Sequence, residues 1–275
     1  KTFEKDSKVQ AYNKAGSTIQ TFTIPASLEH FQTNTEEGQL RRQAISMAID
    51  RSAITDKVLS GTGTPTLDFT SPMTPGYSKS LKGNEVLKYN KAKAKAKELW
   101  KKADAISKFT GKLTFSYNAD GGHEPIYKAV VNSINNTLGS EVAATNPMPT
   151  FNEFRDAVTN RKMTGAFRTG WQPDYPSAEN YLFQIFDSKA ADGNGSNDGD
   201  YKNPEFDAML DKAYATTDAD AANKLYQQSE ELLLKELPAF PLYNENARGV
   251  ASKNVKSGFA MNWQNLPTYE KMTKK

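Results

Sequence analysis

Between Leu113 and Gly139 the period of the hydrophobic residues changes once, and that change limits the fold more than any other feature of the chain. In GKLTFSYNADGG, Leu113, Phe115 and Tyr117 alternate strictly with other residues, the two-residue period of a strand. In HEPIYKAVVNSINNTLGS, which follows directly, Ile126, Val130, Val131, Ile134 and Leu138 recur at helical spacing and Gly139 supplies a stop. A strand feeding a helix is the repeating unit of an α/β layer. The pattern then recurs: EVAATNPMP reads as a second strand, FNEFRDAVTNRKM as a helix, and TGAFRTGW as a short apolar segment. The expected fold class is α/β.

The flanks supply the remaining layers. SKVQAYNKAGSTIQTFTIP reads as two strands around an Ala15-Gly16 turn signal. NTEEGQLRRQAISMAIDRSAITDKVLSG has helical spacing at Leu40, Ala44, Met47, Ala48, Ile54 and Val58, as two helices or one kinked helix. TGTPTLDFTSPMTPGY is a long loop in composition, and NKAKAKAKELWKKADA puts Ala92, Ala96, Leu99 and Ala103 on one helix face. SKAADGNGSNDGDY reads as a small polar surface loop that cannot form a core. Two helices follow up to Pro238, and LPAFPLYNENARGVAS returns to strand-like text.

Several function classes lose their support at this stage. The chain has no cysteine, so disulfides, thiolate metal sites and cysteine nucleophiles are excluded together. Two histidines, His30 and His123, leave little for zinc, and DGNGSNDG misses the spacing of an EF-hand loop; no metal site is expected. HExxH, GxSxG, Walker and Rossmann motifs are missing, so neither a cofactor nor an enzyme activity is expected. Thirty-five bases against 32 acids give a net charge of +3, and the lysine run from Lys88 to Lys102 reads as a solvated helix face; a nucleic-acid partner is not expected. No apolar run approaches the roughly 20 residues of a membrane-spanning helix. The first residues carry no signal-peptide pattern, which means either a cytoplasmic protein or a missing beginning.

Chemistry concentrates in RTGWQPDYPSAENYLFQIF, Arg168 to Phe186. Asp174 and Glu179 resemble an acid pair only in number, because carboxylates five apart in a proline-containing loop have no fixed separation. The segment suits a recognition wall better. Trp171 and Tyr175 offer rigid apolar area, Asp174 can pair with an ammonium group, and Arg168 can grip a carboxylate. Pro173 and Pro176 restrict the backbone on both sides of Asp174. Another reading stays open, in which Trp171, Tyr181, Leu182 and Phe183 are core and Asp174 caps the next helix.

Several segments, in order, resemble the extracytoplasmic solute-binding proteins of peptide ABC transporters, the oligopeptide and dipeptide binding family known as solute-binding protein family 5. They are LRRQAISMAIDRSAI, KYNKAKAKAKELWKKA, GWQPDYPSAENYLFQIF, YKNPEFDAMLDKA and SEELLLKELPAFPLY. The resemblance implies a two-lobed, type II periplasmic-binding-protein fold, of which the chain would be a C-terminal piece. Residues 1–37 would finish the first lobe and reach the hinge, 38–238 form the second lobe, and 239–275 cross back to the first. It implies a lipid-anchored, extracytoplasmic binding component that passes short peptides to a membrane permease, with the first lobe of the same protein as its partner. Binders of oligosaccharides or metal complexes on the same scaffold are the alternative.

The resemblance also distributes roles. Asp174 matches the acid that pairs with a peptide's N-terminal ammonium, and Gly170, Trp171 and Gln172 match the segment lying beside the ligand main chain. Arg168 matches a position for the ligand's carboxylate, with Arg161 a second candidate. Tyr243 would line the cleft near the crossing, and Phe154 an aromatic pocket wall. Core positions are the alternative for both aromatics, and an ion pair is the alternative for Arg168.

Overall fold

The computed structural model describes residues 6–274, without the side chains of residues 90 and 91. Its centre is a six-stranded sheet. The strands are β1 (Val9–Thr23), β2 (Gly63–Pro65), β3 (Leu113–Asn118), β4 (Ala143–Met148), β5 (Ala166–Trp171) and β6 (Ala239–Ser252), arranged β2-β6-β1-β5-β3-β4. The helices are α1 (Glu36–Met47), α2 (Arg51–Ala53, continued as a wide π turn over Ile54–Val58), α3 (Tyr89–Ile106), α4 (Glu124–Leu138), α5 (Phe151–Thr159), α6 (Ala178–Phe186), α7 (Pro204–Tyr214) and α8 (Ala219–Glu236). A small hairpin of β7 (Val255–Ser257) and β8 (Thr273–Lys274) lies outside the sheet.

The alternation at Leu113 does place a strand, and both of its faces are covered. β3 runs parallel to β4 and β5, the pairing that crossover helices such as α4 and α5 permit. α4 buries Ile126, Val130, Val131 and Ile134 as its spacing requires, and Gly139 ends it at a φ of 148°. α5 begins with a capping box in which Thr150 and Glu153 satisfy each other's backbone amides.

The Ala15-Gly16 signal does not make a turn. β1 is one 15-residue strand, paired along both halves with β6, and the register shifts between Ala15 and Ile19 and again between Gln20 and Thr21. Gly16 is needed for close approach: a Cβ there would stand 2.8 Å from the Glu245 carbonyl oxygen. Residues Ile19–Thr23 of β1 also pair with β5, whereas Val9–Ala15 pair with β6 alone. The far halves of β1 and β6 therefore leave the sheet as a two-stranded ribbon.

The arginines of LRRQAISMAIDR are internal braces. Arg42, wholly buried, donates to the carbonyl oxygens of Phe31 (2.6 Å), Leu237 (2.8 Å), Pro25 (2.9 Å) and Ile24 (3.0 Å). Burial pulls its guanidinium down to about 9 against the opposing charge of Glu236, so it stays cationic at neutral pH. Arg51 does the same for Pro241, Ser46 and Leu87. Arg41 pairs with Glu37 and Asp104 and stacks over Trp100. Two helices stand where the text allowed one kinked helix, because the Asp50 side chain caps the Ala53 amide and starts α2 afresh.

Phe22 stacks on Phe240 at 4.4 Å and meets Phe115 edge-on, joining β1, β6 and β3 in one core. Ile24 and Phe31 lie in that core too, together with residues of α1, α4 and α8. The 188–201 segment, expected as plain surface, is pinned instead. Asn197 is buried and bonds the Asp187 and Tyr201 carbonyls, which a polar composition alone does not reveal.

Candidate functional site

In an α/β sheet the ends of the parallel strands open onto the only edge where loops of different units meet, and ligands bind there. In this chain the carboxyl ends of β3, β4 and β5 lead to His123, Thr150 and the Trp171–Ser177 loop. The ribbon of β1 and β6 rises past the same edge, since Ile19 stands opposite both Trp171 and Asn244.

β5 itself supplies an open ladder. Its pairing with β3 is confined to Ala166 and Phe167, while its pairing with β1 continues to Trp171. From Arg168 to Trp171 the edge facing away from β1 therefore has no strand partner among the described residues. Its alternation sends Phe167, Thr169 and Trp171 to one face and Arg168 and Gly170 to the other.

Asn180 organises the end of this strand. It is 1% exposed in the first turn of α6, and its side-chain oxygen accepts the Trp171 indole N–H at 2.9 Å and the Asp174 backbone N–H at 3.0 Å. Its amide nitrogen reaches the Asp174 carboxylate at 3.5 Å. Asp174 itself is exposed, so a carboxylate is presented to solvent from a fixed backbone. It does not cap α6; Ser177 does, accepting the Glu179 amide. Glu179 is engaged by the Tyr175 hydroxyl.

On the Arg168 face, the guanidinium charge bears on His123, Tyr127 and Tyr243, and the Arg168 Nε is buried without a partner. Burial first and the Arg168 charge second push His123 down to about 4, against the pull of Asp120, so its imidazole is neutral at pH 7. Asp120 accepts from the Asn118 side chain (2.7 Å) and the Phe151 amide (3.0 Å), tying the end of β3 to the start of α5. On the Trp171 face, Thr169 bonds the hydroxyls of Thr21 (2.6 Å) and Thr23 (2.9 Å) in the floor of a cavity of about 410 Å³. Trp171, Ile185 and Tyr201 help to wall it.

The structure thus gathers Asp174, Trp171, Gly170, Gln172 and Arg168 on one edge, while Tyr243, expected to line the cleft, is buried in the main core. Gln172 is exposed and accepts from Thr18 at 3.1 Å. Gly170 lies so close to β1 that a Cβ would meet the Ile19 carbonyl oxygen at 2.9 Å. Two further expected residues are not on that edge. Arg161 closes a fork on Asp200, with contacts of 2.9 and 3.0 Å, which uses the guanidinium within the protein. Phe154 is 1% exposed and packs with Val158 and Phe167 as core, although it borders the cavity. Sequence reasoning missed Asn180 and considered His123 only as one of two histidines too few for a zinc site. The available signal for Asn180 was a polar side chain opening an otherwise apolar helix, NYLFQIF.

Comparison with known proteins gives a consistent result. The family profile described as "Bacterial extracellular solute-binding proteins, family 5 Middle" matches residues 1–193. The chain is 30% identical over 252 residues to the periplasmic murein peptide-binding protein MppA of Escherichia coli, covering 88% of this chain and 44% of that protein. It is 28% identical to the oligopeptide-binding protein OppA of Bacillus subtilis, covering 84% of this chain and 42% of the relative. The solved unliganded open form of MppA superposes with a TM-score of 0.84 at 22% identity, covering 99% of this chain and 50% of that one. The chain spans less than half the length of these curated relatives.

Proposed function

The chain belongs to family 5 of the bacterial extracellular solute-binding proteins, with the α/β fold of the periplasmic peptide-binding proteins, and from that premise we propose that it forms one wall of a cleft for short peptides. The observation that carries this reading is the unpaired β5 edge from Arg168 to Trp171, ending at the Asp174 carboxylate that Asn180 holds. An extended peptide can add its main chain to such an edge whatever its side chains. Its ammonium would meet Asp174. Its carboxylate would lie toward Arg168 and the neutral His123. Three residues of strand rise give a span of roughly 10 Å, which suits a ligand of about three or four residues. The hydroxyl-floored cavity beside Trp171 would receive one ligand side chain.

On this reading the β1 and β6 ribbon carries the chain from one lobe to the other, at residues 16–18 and 244–246. Phe22, Ile24 and Phe31, which precede the expected limit at residue 37, share a core with residues of α1 and α4. No chemical step is required of the site. The whole protein would work outside the cytoplasm and hand its ligand to an ABC permease, the opposite wall being supplied by the other lobe.

Calorimetry on the full-length protein with a pool of di- to pentapeptides, free and N-acetylated, tests the reading. Binding of free peptides that Asp174→Ala removes is the expected result. Equal binding of acetylated peptides, or preference for an oligosaccharide or a metal complex, would overturn it.

A further inference from the structure

One buried group of acids has no place in the ligand wall. Asp68, in the loop between β2 and α3, is 0% exposed, and Glu230, in the middle of α8, is 1% exposed. The two carboxyls bracket consecutive amides of the loop. Glu230 accepts the Phe69 N–H at 3.3 Å, and Asp68 accepts the Thr70 N–H at 2.9 Å and the Thr70 hydroxyl at 3.1 Å. The titratable groups around them are the phenols of Tyr77 in the same loop and Tyr181 on α6, and the neighbouring carboxyl of Glu231 on α8. Among the described residues no lysine, arginine or histidine pairs with either acid.

The same loop is fastened to both strands of the crossing. The Ser71 hydroxyl donates to the Gly16 carbonyl at 2.6 Å, and the Asn244 side chain donates to the Thr70 carbonyl at 3.0 Å. Tyr181, which accepts from Thr74 at 3.4 Å, donates to the Ser17 carbonyl at 2.5 Å. Gly16 lies in the first of the two shifts of the β1–β6 register, between Ala15 and Ile19. The bonds from residues 70–74 therefore converge on the point at which β1 and β6 leave the sheet.

We propose that Asp68 and Glu230 form a proton-operated latch on that crossing. With at least one of the two carboxyls protonated, α8 grips the loop through the Phe69 amide and the loop grips Gly16, Ser17 and Asn244. When both carboxyls are charged, two like charges stand buried with no cation, the loop parts from α8, and the crossing loses its anchor. Two neighbouring carboxyls in a dry site cannot both ionise cheaply, which is why such pairs retain a proton well above the ordinary carboxylate range. Burial raises Asp68 to about 7, and burial with the Asp68 charge raises Glu230 well above its ordinary value. The latch rests on reading residues 16–18 and 244–246 as the passage between lobes, and it makes the stiffness of that passage depend on external pH.

Hydrogen exchange of the 275-residue chain, corrected for intrinsic chemistry and compared at about pH 5.5 and about pH 8.5, tests it. In the wild type, protection across 69–75 and 14–18 should fall together at the higher pH, by about tenfold or more, the equivalent of one pK unit. Glu230→Gln or Asp68→Asn, which keep the shape and remove one charge, should stay protected at both pH values; the second serves if the first does not fold. Unchanged protection in the wild type overturns the latch. So does loosening at 69–75 that leaves 14–18 protected, or an E230Q chain with the wild-type pH response. Absence of peptide binding alongside the expected exchange pattern counts against the transport reading alone, since the exchange measurement uses no ligand.

Discussion

Asn180→Leu separates presentation of the proposed ligand site from the site itself. Leucine has the same branched skeleton, is somewhat larger and suits a helix slightly better, so the change removes hydrogen bonds without opening a cavity. Two good bonds disappear, at 2.9 and 3.0 Å, together with the 3.5 Å contact at the edge of bonding distance. At about 1 kcal/mol net for each good bond the cost is about 2 kcal/mol. For a chain of this size that lowers Tm by roughly 4–8 °C, measurable by calorimetric or fluorescence melting. Binding should weaken separately, because Asp174 then has to be ordered by the ligand. One freed side chain costs about 1 kcal/mol, or about fivefold in Kd. Asp174→Asn, which removes the charge itself, should cost about 1.5–3 kcal/mol, roughly 10- to 150-fold. The two changes should be non-additive: in the Asp174→Asn background, Asn180→Leu should cost little further affinity for a free peptide. Strict additivity, or an equal loss for N-acetylated peptide, would refute the claim that Asn180 acts through Asp174.

Other outcomes follow from the same structure. Arg42→Met should destabilise the chain by about 3–5 kcal/mol in urea unfolding, because it strands the carbonyls of Ile24, Pro25, Phe31 and Leu237 in the core; a loss under about 1 kcal/mol would mean the brace is dispensable. His123, held at about 4 when folded and 6.5 when free, contributes a stability that is complete above pH 6.5 and is lost as pH falls toward 4, because the unfolded chain binds the proton first. Since the ring is only half buried, about 1–2 kcal/mol of that slope should vanish in His123→Gln, read from the urea midpoint at several pH values. Gly170→Val forces a Cβ to within 2.9 Å of the Ile19 carbonyl oxygen, so β5 must shift from β1. Free and acetylated peptides should then both bind about tenfold more weakly in calorimetry, a backbone loss that differs from the ammonium-specific loss at Asp174.

What was legible in the chain itself was everything carried by short-range periodicity and side-chain type. The shift from a two-residue to a helical period at Leu113–Leu138 placed β3 and α4, because each residue's own neighbours decide whether such a pattern can bury one face. The RTGWQPDYP text pointed to the proposed wall for a similar reason: a proline-restrained carboxylate is costly to bury and useful to expose. The sequence of Ala15 and Gly16 was misleading. A glycine signals freedom, and only the strand packed against it shows that the freedom serves close approach to Glu245 and not a turn.

Tertiary structure alone decided which polar residues are occupied and which are available. Arg161 and Arg168 look alike in sequence, yet Asp200 arrives 39 residues later to claim the first and leaves the second with an unpaired Nε. Asn180 gains its role because α6 turns it back under the strand that precedes it. Asp68 and Glu230 stand 162 positions apart, and only the fold sets them on consecutive amides of one loop. Local pattern specifies elements because their free energy is settled among near neighbours. Charge pairing, desolvation and the open edge of β5 depend on partners distant in the chain, and those partners are brought close only by the fold.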